Sequence, residues 1–396
     1  MNPVRNPYTP GAGVSPAELA GRESYLMTVR VAIERMRRRL PAQSVLLVGL
    51  RGVGKTVLLD RMREEAVAAG IRTVRLDAVG ERSLPALLAP ELRLVLLHLS
   101  RAPESKEASL RALRALAAFA RALKGRYPDL EVGLDSEAES GLADSGILDP
   151  DLLALLESVG AAARAAQTAV VLFIDDLQFL AAAELSALTM ALLRCTQREL
   201  PITLVGAGLP QLRIQAAEIG SSVERLVEFH ELGPLSAEAA VQALLKPAAE
   251  LNVGFEEAAV ANILAATQCH PYFLQELAKQ SWDAAPQSPI TLQDTRNAAH
   301  FALAALDEKF FRVRFDRLTP AERKYLRAMA ELGPGPHRSG EIAAALTRPV
   351  TSLGPARSQL IAKGMIWSPA HGETAFTAPR FDEFMRRTWP NNSWRH

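Results

Sequence analysis

Five short apolar segments rich in Val, Ile, Leu and Phe recur along the first 233 residues, separated by longer stretches with apolar residues at helical spacing. The segments predict strands at 44–49, 71–76, 169–174, 202–205 and 226–231. The longer stretches predict helices at about 23–39, 55–69, 84–98, 106–124, 150–167 and 183–198. Strands alternating with helices form a parallel sheet with both faces covered, so the pattern predicts an α/β fold with a five-stranded parallel sheet.

The pattern changes after residue 233, where the predicted strands stop. Residues 236–308 show helical spacing only, which predicts an all-helical lid. From 318 to 390 the order is three helices, two short strands around Gly372 and a closing helix, the order of a winged helix-turn-helix. The predicted domains are therefore an α/β core (1–233), a lid (234–308) and a winged helix (309–396). Within the core, residues 1–20 are predicted to be an irregular arm and 128–149 an acidic, mobile surface loop.

Composition and charge limit the class of protein. The 396 residues exceed what one hydrophobic core usually holds, and 48% apolar with 22% charged residues is typical of a globular chain. Two cysteines are too few for a disulfide scaffold or a four-ligand zinc site. No stretch of eighteen apolar residues could span a membrane and the first residues lack a secretory signal, so we expect a cytoplasmic protein with no membrane partner.

The most specific motif follows the first predicted strand. Residues 49–56, Gly-Leu-Arg-Gly-Val-Gly-Lys-Thr, match the phosphate-loop pattern GxxxxGK[ST]. Backbone N–H groups can surround phosphates only where no side chain obstructs them, and the following helix presents its positive end. The predicted nucleotide-binding residues of this segment are Gly49, Leu50, Arg51, Gly52, Val53, Gly54, Lys55, Thr56 and Val57. Lys55 is expected at the β- and γ-phosphates and Thr56 on Mg²⁺, so the motif predicts a nucleoside triphosphate with Mg²⁺, and the family resemblance described below implies that the nucleotide is ATP.

Two acids end the most apolar strand, which places them at the carboxyl edge of the sheet, where such folds bind ligands. Asp175 is predicted to hold Mg²⁺ through water, and Asp176 to polarise the attacking water. A helix cap is the alternative for Asp176. An Asp is one methylene shorter than a Glu, so we expect slow hydrolysis.

Together these residues resemble AAA+-related P-loop ATPases, especially the origin-recognition-like and STAND (signal-transduction) branch. The resemblance implies that Gly21 and Arg22, in Gly-Arg-Glu before the phosphate loop, contact the adenine side of ATP. It implies that Arg225 is an arginine finger for a neighbouring subunit and that Pro271 belongs to a base-sensing segment of the lid. The alternative for Gly21 and Arg22 is a solvated helix start, and the alternative for Arg225 is a solvated or ion-paired side chain. For Pro271 the alternative is an ordinary X-Pro helix start.

Two departures from that family pattern also favour slow turnover. The strand at 202–205 ends in Gly206-Ala-Gly208, leaving only Thr203 as a polar residue, and the lid helix at 271–283 has no arginine. We therefore expect an ATP-dependent switch that controls the winged helix. An ATP-regulated DNA-binding initiator or regulator and a nucleotide-stabilised scaffold are the alternatives, and a homo-oligomer is open.

The overall charge of +1 conceals an uneven distribution. From residue 318 onward there are 11 basic and 6 acidic residues, a net of +5, which leaves −4 for the rest. This keeps double-stranded DNA open as a partner, although Gly354-Pro355 is unusual in a helix that enters a DNA groove. The side chains predicted to face DNA are Arg348, Ser352, Arg357, Ser358, Gln359 and Lys363.

Overall fold

The α/β core contains the predicted sheet. The structure, a computed structural model, describes residues 1–38, 40, 42–80, 82–131, 141–220 and 226–390. Its five strands are all parallel and lie in the order β2-β3-β4-β1-β5. Their bounds are β1 Ser44–Val48, β2 Arg72–Asp77, β3 Val170–Asp175, β4 Ile202–Gly208 and β5 Val227–Glu231. The predicted fold class, an α/β P-loop NTPase, is confirmed.

Helices cover both faces of this sheet. They are α1 Glu23–Arg37, α2 Lys55–Ala68, α3 Leu84–Leu99, α4 Pro103–Leu123, α5 Leu148–Ala165, α6 Ala182–Gln197 and α7 Gln211–Ile219. Alternate residues of β1 belong to different apolar clusters, with Val45 and Leu47 on one face and Leu46 and Val48 on the other. Side chains that alternate across a strand and are buried on both faces explain why the strands are continuous apolar runs.

The segment predicted as an acidic loop is shorter than expected. Helix α5 begins at Leu148, because the buried Asp151 carboxylate accepts hydrogen bonds from the backbone N–H groups of Ser145 and Gly146 (2.9 and 2.8 Å). Residues 132–140 lie outside the described residues, and the prediction of mobility falls mainly on them.

The lid is helical, as its pattern predicts. Its helices are α8 Ala237–Ala249, α9 Glu257–Thr267, α10 Pro271–Ala284 and α11 Leu292–Leu306. The arm (residues 1–20) is irregular apart from a 3₁₀ turn at Pro3–Arg5, and it packs on the lid. The Tyr8 hydroxyl is buried and donates to Leu244 O at 2.5 Å. The arm is therefore part of the lid's core.

The C-terminal unit (residues 309–390) has one strand more than the sequence predicts. A π turn, Asp307–Arg312, continues α11 into α12, Val313–Phe315. The remaining elements are α13 Pro320–Leu332, β6 His337–Arg338, α14 Ser339–Leu346, a 3₁₀ turn Val350–Leu353, α15 Gly354–Ala362, β7 Ile366–Trp367, β8 Glu373–Phe376 and α16 Phe381–Thr388.

The three short strands form a sheet in the order β6-β8-β7. The third helix of the predicted order begins at Gly354, because Pro355 suits the first turn of a helix and not its interior. No helix among the described residues combines the length and apolar character needed to cross a membrane.

Candidate functional site

The phosphate loop (residues 49–56) joins the end of β1 to the start of α2. Gly52 and Gly54 have φ of +79° and +93°, a region that favours glycine. A Cβ on Gly49 would lie 2.2 Å from Leu232 O, so this position also requires glycine. The loop thus has the backbone conformation that its sequence motif predicts.

Lys55 is directed back into the loop that precedes it. Its Nζ donates to Gly49 O and Leu50 O at 2.9 and 2.8 Å. Burial lowers its pKa to about 8, against which the charges of Asp175 and Asp176 act to raise it. The ammonium group is therefore desolvated yet still protonated at neutral pH.

Asp175, the last residue of β3, lies next to Thr56. Burial raises the pKa of the Asp175 carboxyl, and hydrogen bonding by the Thr56 side chain acts to lower it. Arg75 Nη2 lies 3.6 Å from Asp175 Oδ2. A hydroxyl and a carboxylate side by side are the hard oxygen donors that Mg²⁺ prefers, so these residues fit the predicted ion.

Asp176 is held in a left-handed conformation, with φ 53°, by a residue that the sequence does not identify. The Gln178 side-chain amide donates to Asp176 Oδ1 at 2.7 Å, and Gln178 Oε1 accepts from the Leu209 backbone N–H at 2.8 Å. A Cβ on Gly208 would lie 2.7 Å from that Oε1. The glycines at the end of β4 therefore leave room for Gln178. Thr203 is hydrogen-bonded to Ser44, at the amino end of the sheet.

Arg22 connects the Gly-Arg-Glu segment to both the loop and the lid. Its Nη2 donates to Val53 O at 3.2 Å and to Gly233 O at 2.8 Å, and the side chain is buried. Gly21 has φ +68° and packs so closely on the lid that a Cβ would lie 2.6 Å from Ala239 Cβ. The segment is thus fixed where core and lid meet.

His270 joins the lid to the phosphate loop just before Pro271. Its Nε2 lies 3.0 Å from Arg51 O, where a neutral ring protonated on Nε2 donates a hydrogen bond. Burial lowers its pKa to about 4, so the ring is neutral at pH 7. A Cβ on Gly52 would lie 2.7 Å from this ring.

A cavity of about 330 Å³ brings together residues of the arm, the phosphate loop, the lid and the C-terminal unit. Among the predicted site residues that line it are Arg22, Arg51, Gly52, Val53, Gly54, Lys55, Thr56, Val57, Asp175, Asp176 and Pro271. Gly21, Gly49 and Leu50 do not line it; Gly49 and Leu50 instead supply the carbonyls that hold Lys55. Arg225 lies outside the described residues.

Comparison with known proteins identifies the core. A family model described as AAA ATPase domain matches residues 18–205. Residues 18–205 form an AAA ATPase domain. The predicted resemblance to AAA+-related P-loop ATPases is confirmed, and the match supports a nucleotide-binding ATPase. A second model, described as a domain of unknown function (DUF8462), matches residues 308–385. Among curated proteins none matches the sequence.

Of three similar solved structures, the first supports the fold. The Walker-type ATPase PabY2304 of Pyrococcus abyssi is 14% identical with a TM-score of 0.59, over 93% of this chain and 96% of that one. Orc1 of Aeropyrum pernix, solved in complex with DNA, is 16% identical with a TM-score of 0.47, over 94% of each chain. The RuvB Holliday junction branch migration motor of Thermotoga maritima is 19% identical with a TM-score of 0.43, over 92% and 96%.

Several residues outside the sequence motifs also line the cavity. From the arm, Thr9 to Val14 and Pro16 line the cavity, and a Cβ on Gly13 would lie 3.5 Å from Thr56 Cγ2. From the C-terminal unit, Lys309, Phe310 and Arg314 line it. Only the abundance of Pro and Gly in the arm could have signalled a close approach to the backbone.

The phosphate loop of the AAA ATPase domain also touches the small C-terminal sheet. The Arg51 backbone N–H donates to Thr377 O at 2.9 Å. The Arg51 guanidinium donates to Gly364 O through Nε and Nη2 at 3.2 and 3.1 Å. One residue of the phosphate loop therefore binds both ends of the segment that contains β7 and β8.

Proposed function

We propose that this protein is an ATP-dependent switch in which slow, Mg²⁺-dependent ATP hydrolysis controls the position of the C-terminal unit, which we interpret as a winged helix. The observation that carries the proposal is the shared cavity: the arm, the phosphate loop, the lid and the C-terminal unit all line it. A ligand there contacts all four parts, so its loss or cleavage alters how they are held together.

The charges around the cavity suit a triphosphate. Arg51, Lys55, Lys309 and Arg314 line it, while its carboxylates are Glu18, Asp175 and Asp176. Lys55 is proposed to bind the β- and γ-phosphates after releasing the two carbonyls, and the N–H groups of the loop to bind the phosphate oxygens. Thr56 and Asp175 are proposed to hold Mg²⁺, which neutralises phosphate charge when bound. Apolar residues of the arm and lid, including Val14 and Leu274, are proposed to cover the base.

Slow hydrolysis is inferred from how Asp176 is held. One of its carboxylate oxygens already accepts a hydrogen bond from Gln178, and the adjacent end of β4 carries glycines. The proposed general base therefore has one oxygen engaged, and Gly206 and Gly208 supply no side chain that could bind the terminal phosphate.

The switch itself is proposed to act through Arg51. Its backbone is part of the phosphate loop, while its guanidinium and N–H hold Gly364 and Thr377 of the C-terminal unit. A change in the loop on nucleotide binding therefore alters these hydrogen bonds directly. Hydrogen exchange of residues 364–377, measured with ADP and with a non-hydrolysable ATP analogue, should differ, and Arg51→Ala should remove the difference.

Nucleotide titration and single-turnover hydrolysis test the site. Lys55→Ala should lower ATP affinity, and Asp176→Asn should leave affinity intact while abolishing hydrolysis, because only the second removes the proposed base. Lys106→Ala, on α4 and away from the cavity, is the control. Unchanged affinity and hydrolysis in Lys55→Ala would show that the phosphate-loop assignment is wrong.

DNA binding is the second candidate, supported by the exposed Arg348, Ser358 and Gln359. Two other predicted contacts are engaged within the chain: Arg357 donates to Thr374, Ser368 and Glu373, and Lys363 pairs with Glu322 at 2.7 Å. A mobility shift at several salt concentrations tests this candidate, because phosphate contacts make affinity fall steeply with salt.

Self-assembly is a further open question of the proposed function. Light scattering with and without ATP and Mg²⁺ tests for a homo-oligomer. An intersubunit role for Arg225 predicts that Arg225→Ala affects hydrolysis only in an assembly.

A further inference from the structure

Arg314 brings a guanidinium into the nucleotide cavity from outside the AAA ATPase domain. It lies on α12, which the π turn at Asp307–Arg312 joins to the last helix of the lid. π turns are frequent at functional sites. The guanidinium lies over the Phe310 ring, 4.6 Å from its centre, and donates to Phe310 O. The side chain is therefore held in one position on the cavity wall.

The surroundings of Arg314 are unusual for an arginine. Burial, together with the nearby positive charge of Arg51, lowers its pKa to about 10. In the part of the chain that the structure describes, no carboxylate lies within 4.0 Å of its nitrogens. A partly buried arginine beside another cation, without an ion pair, is unfavourable unless an anion binds there.

The end of the cavity that Arg314 faces is defined by two charges. The positive charge of Arg314 acts to lower the pKa of Lys55, and the negative charge of Asp176 acts to raise the pKa of Arg314. These are the residues that the proposed function assigns to the β- and γ-phosphates and to the attacking water. Arginine matches phosphate well because its planar fork donates two parallel hydrogen bonds.

We infer that Arg314 binds the terminal phosphate of ATP held by the same chain. The inference rests on the proposed function, and it gives the joining helix (the π turn and α12, residues 307–315) a means of distinguishing ATP from ADP. Arg314 also provides an arginine that the lid helix α10 lacks, and it comes from the same chain and not from a neighbouring subunit. Because Arg314 lies at the start of the C-terminal unit, its contact with the third phosphate links that unit to the nucleotide state.

Nucleotide affinity of the full-length protein tests this assignment. Titrations with ADP and with a non-hydrolysable ATP analogue, both with Mg²⁺, should show that Arg314→Ala weakens the analogue about 10- to 100-fold and ADP by less than about threefold. Arg312→Ala is the matched control, since Arg312 is exposed on the same segment and paired with Glu308 at 2.9 Å. An unchanged ratio of the two affinities, or equal losses for both nucleotides, would overturn the inference.

Two further measurements separate other outcomes. Arg314→Lys keeps the charge without the fork and should recover part of the preference for the analogue, whatever the stability of the alanine variant. Mixing Arg314→Ala with Lys55→Ala should not restore turnover, and restored turnover would show that the arginine acts on a neighbouring chain. If the wild type binds neither nucleotide, the proposed function fails. If it binds both without dependence on Arg314, only this inference fails.

Discussion

Replacing Gly364 by alanine tests the contact between the phosphate loop and the C-terminal unit. Gly364 has φ +62°, and a Cβ there would lie 2.7 Å from Arg51 Nη2 and 3.0 Å from Leu209 Cδ1. The substitution therefore has two effects: it strains the backbone, and it pushes the Arg51 guanidinium away from the carbonyl that it binds.

The two effects can be separated by magnitude. A left-handed conformation costs alanine about 1–2 kcal/mol relative to glycine. Loss of hydrogen bonds from a charged donor adds about 1.5–3 kcal/mol, so the total destabilisation should be about 2.5–5 kcal/mol. Gly372→Ala is the matched control, because Gly372 has φ +77° beside the same small sheet but open space around it. It should show only the first effect.

Hydrogen exchange of the backbone amides in residues 364–377 measures the local free energy of opening in each variant. The excess of Gly364→Ala over Gly372→Ala should be about 2 kcal/mol in the wild-type background. In an Arg51→Ala background it should fall toward the contribution of the contacts with Leu209 and Phe179. Equal effects of the two glycine substitutions would refute the contact, and an excess that persists without Arg51 would assign it to other atoms.

Three further predictions concern the lid, the arm and the end of β4. Since the pKa of His270 falls from its ordinary 6.5 to about 4, the folded protein disfavours its protonation. The free energy of unfolding should therefore decrease by roughly 3 kcal/mol as pH falls from 6.5 to 4, and His270→Gln should flatten that decrease. Tyr8→Phe leaves the buried Leu244 carbonyl without its donor and should destabilise the protein by about 1–2 kcal/mol in thermal unfolding. Gly208→Ala should displace Gln178 and alter single-turnover hydrolysis while leaving nucleotide affinity within about threefold.

Each of these predictions has a control or a contradicting outcome. An identical pH dependence in the His270 variant would show that other groups cause the decrease. Val4→Ala, on an exposed part of the arm, should leave the unfolding temperature unchanged. Gly233→Ala, which has open space around it, should leave hydrolysis unchanged. Hydrolysis unaltered in Gly208→Ala would show that Gln178 does not position the general base.

The sequence predicts the core and the phosphate loop well because both depend on local patterns. Apolar strands buried on both faces are visible as continuous runs, and the loop needs glycines at fixed spacing. The strand His337–Arg338 was not predicted, since two residues without alternating polarity carry no periodic signal.

Features that depend on long-range contacts were also missed. The arm is anchored on the lid by Tyr8, whose hydrogen-bond partner Leu244 is 236 residues away. Arg51 was predicted only as a phosphate-loop residue, yet its guanidinium donates to Gly364, 313 residues further on. Arg314 carries no motif, and only the tertiary fold brings it beside Lys55.

The charge of the C-terminal unit favours the switch over the DNA-binding candidate. Its surplus of basic residues kept DNA open, but many of these side chains are engaged within the chain. Those with carboxylate or carbonyl partners are Arg327, Arg357, Lys363, Arg380, Arg386 and Arg387.

Two of these contacts join the unit to the lid and to the joining helix. Arg380 donates to Ala266 O at 2.9 Å, and Arg387 pairs with Asp307 at 2.6 Å. With Arg51 on Gly364, they attach the unit to the lid, the joining helix and the phosphate loop, so part of the positive charge serves intramolecular docking. A unit docked through such polar contacts is released by a modest change in free energy, and in the proposed switch the binding of the third phosphate of ATP supplies that change.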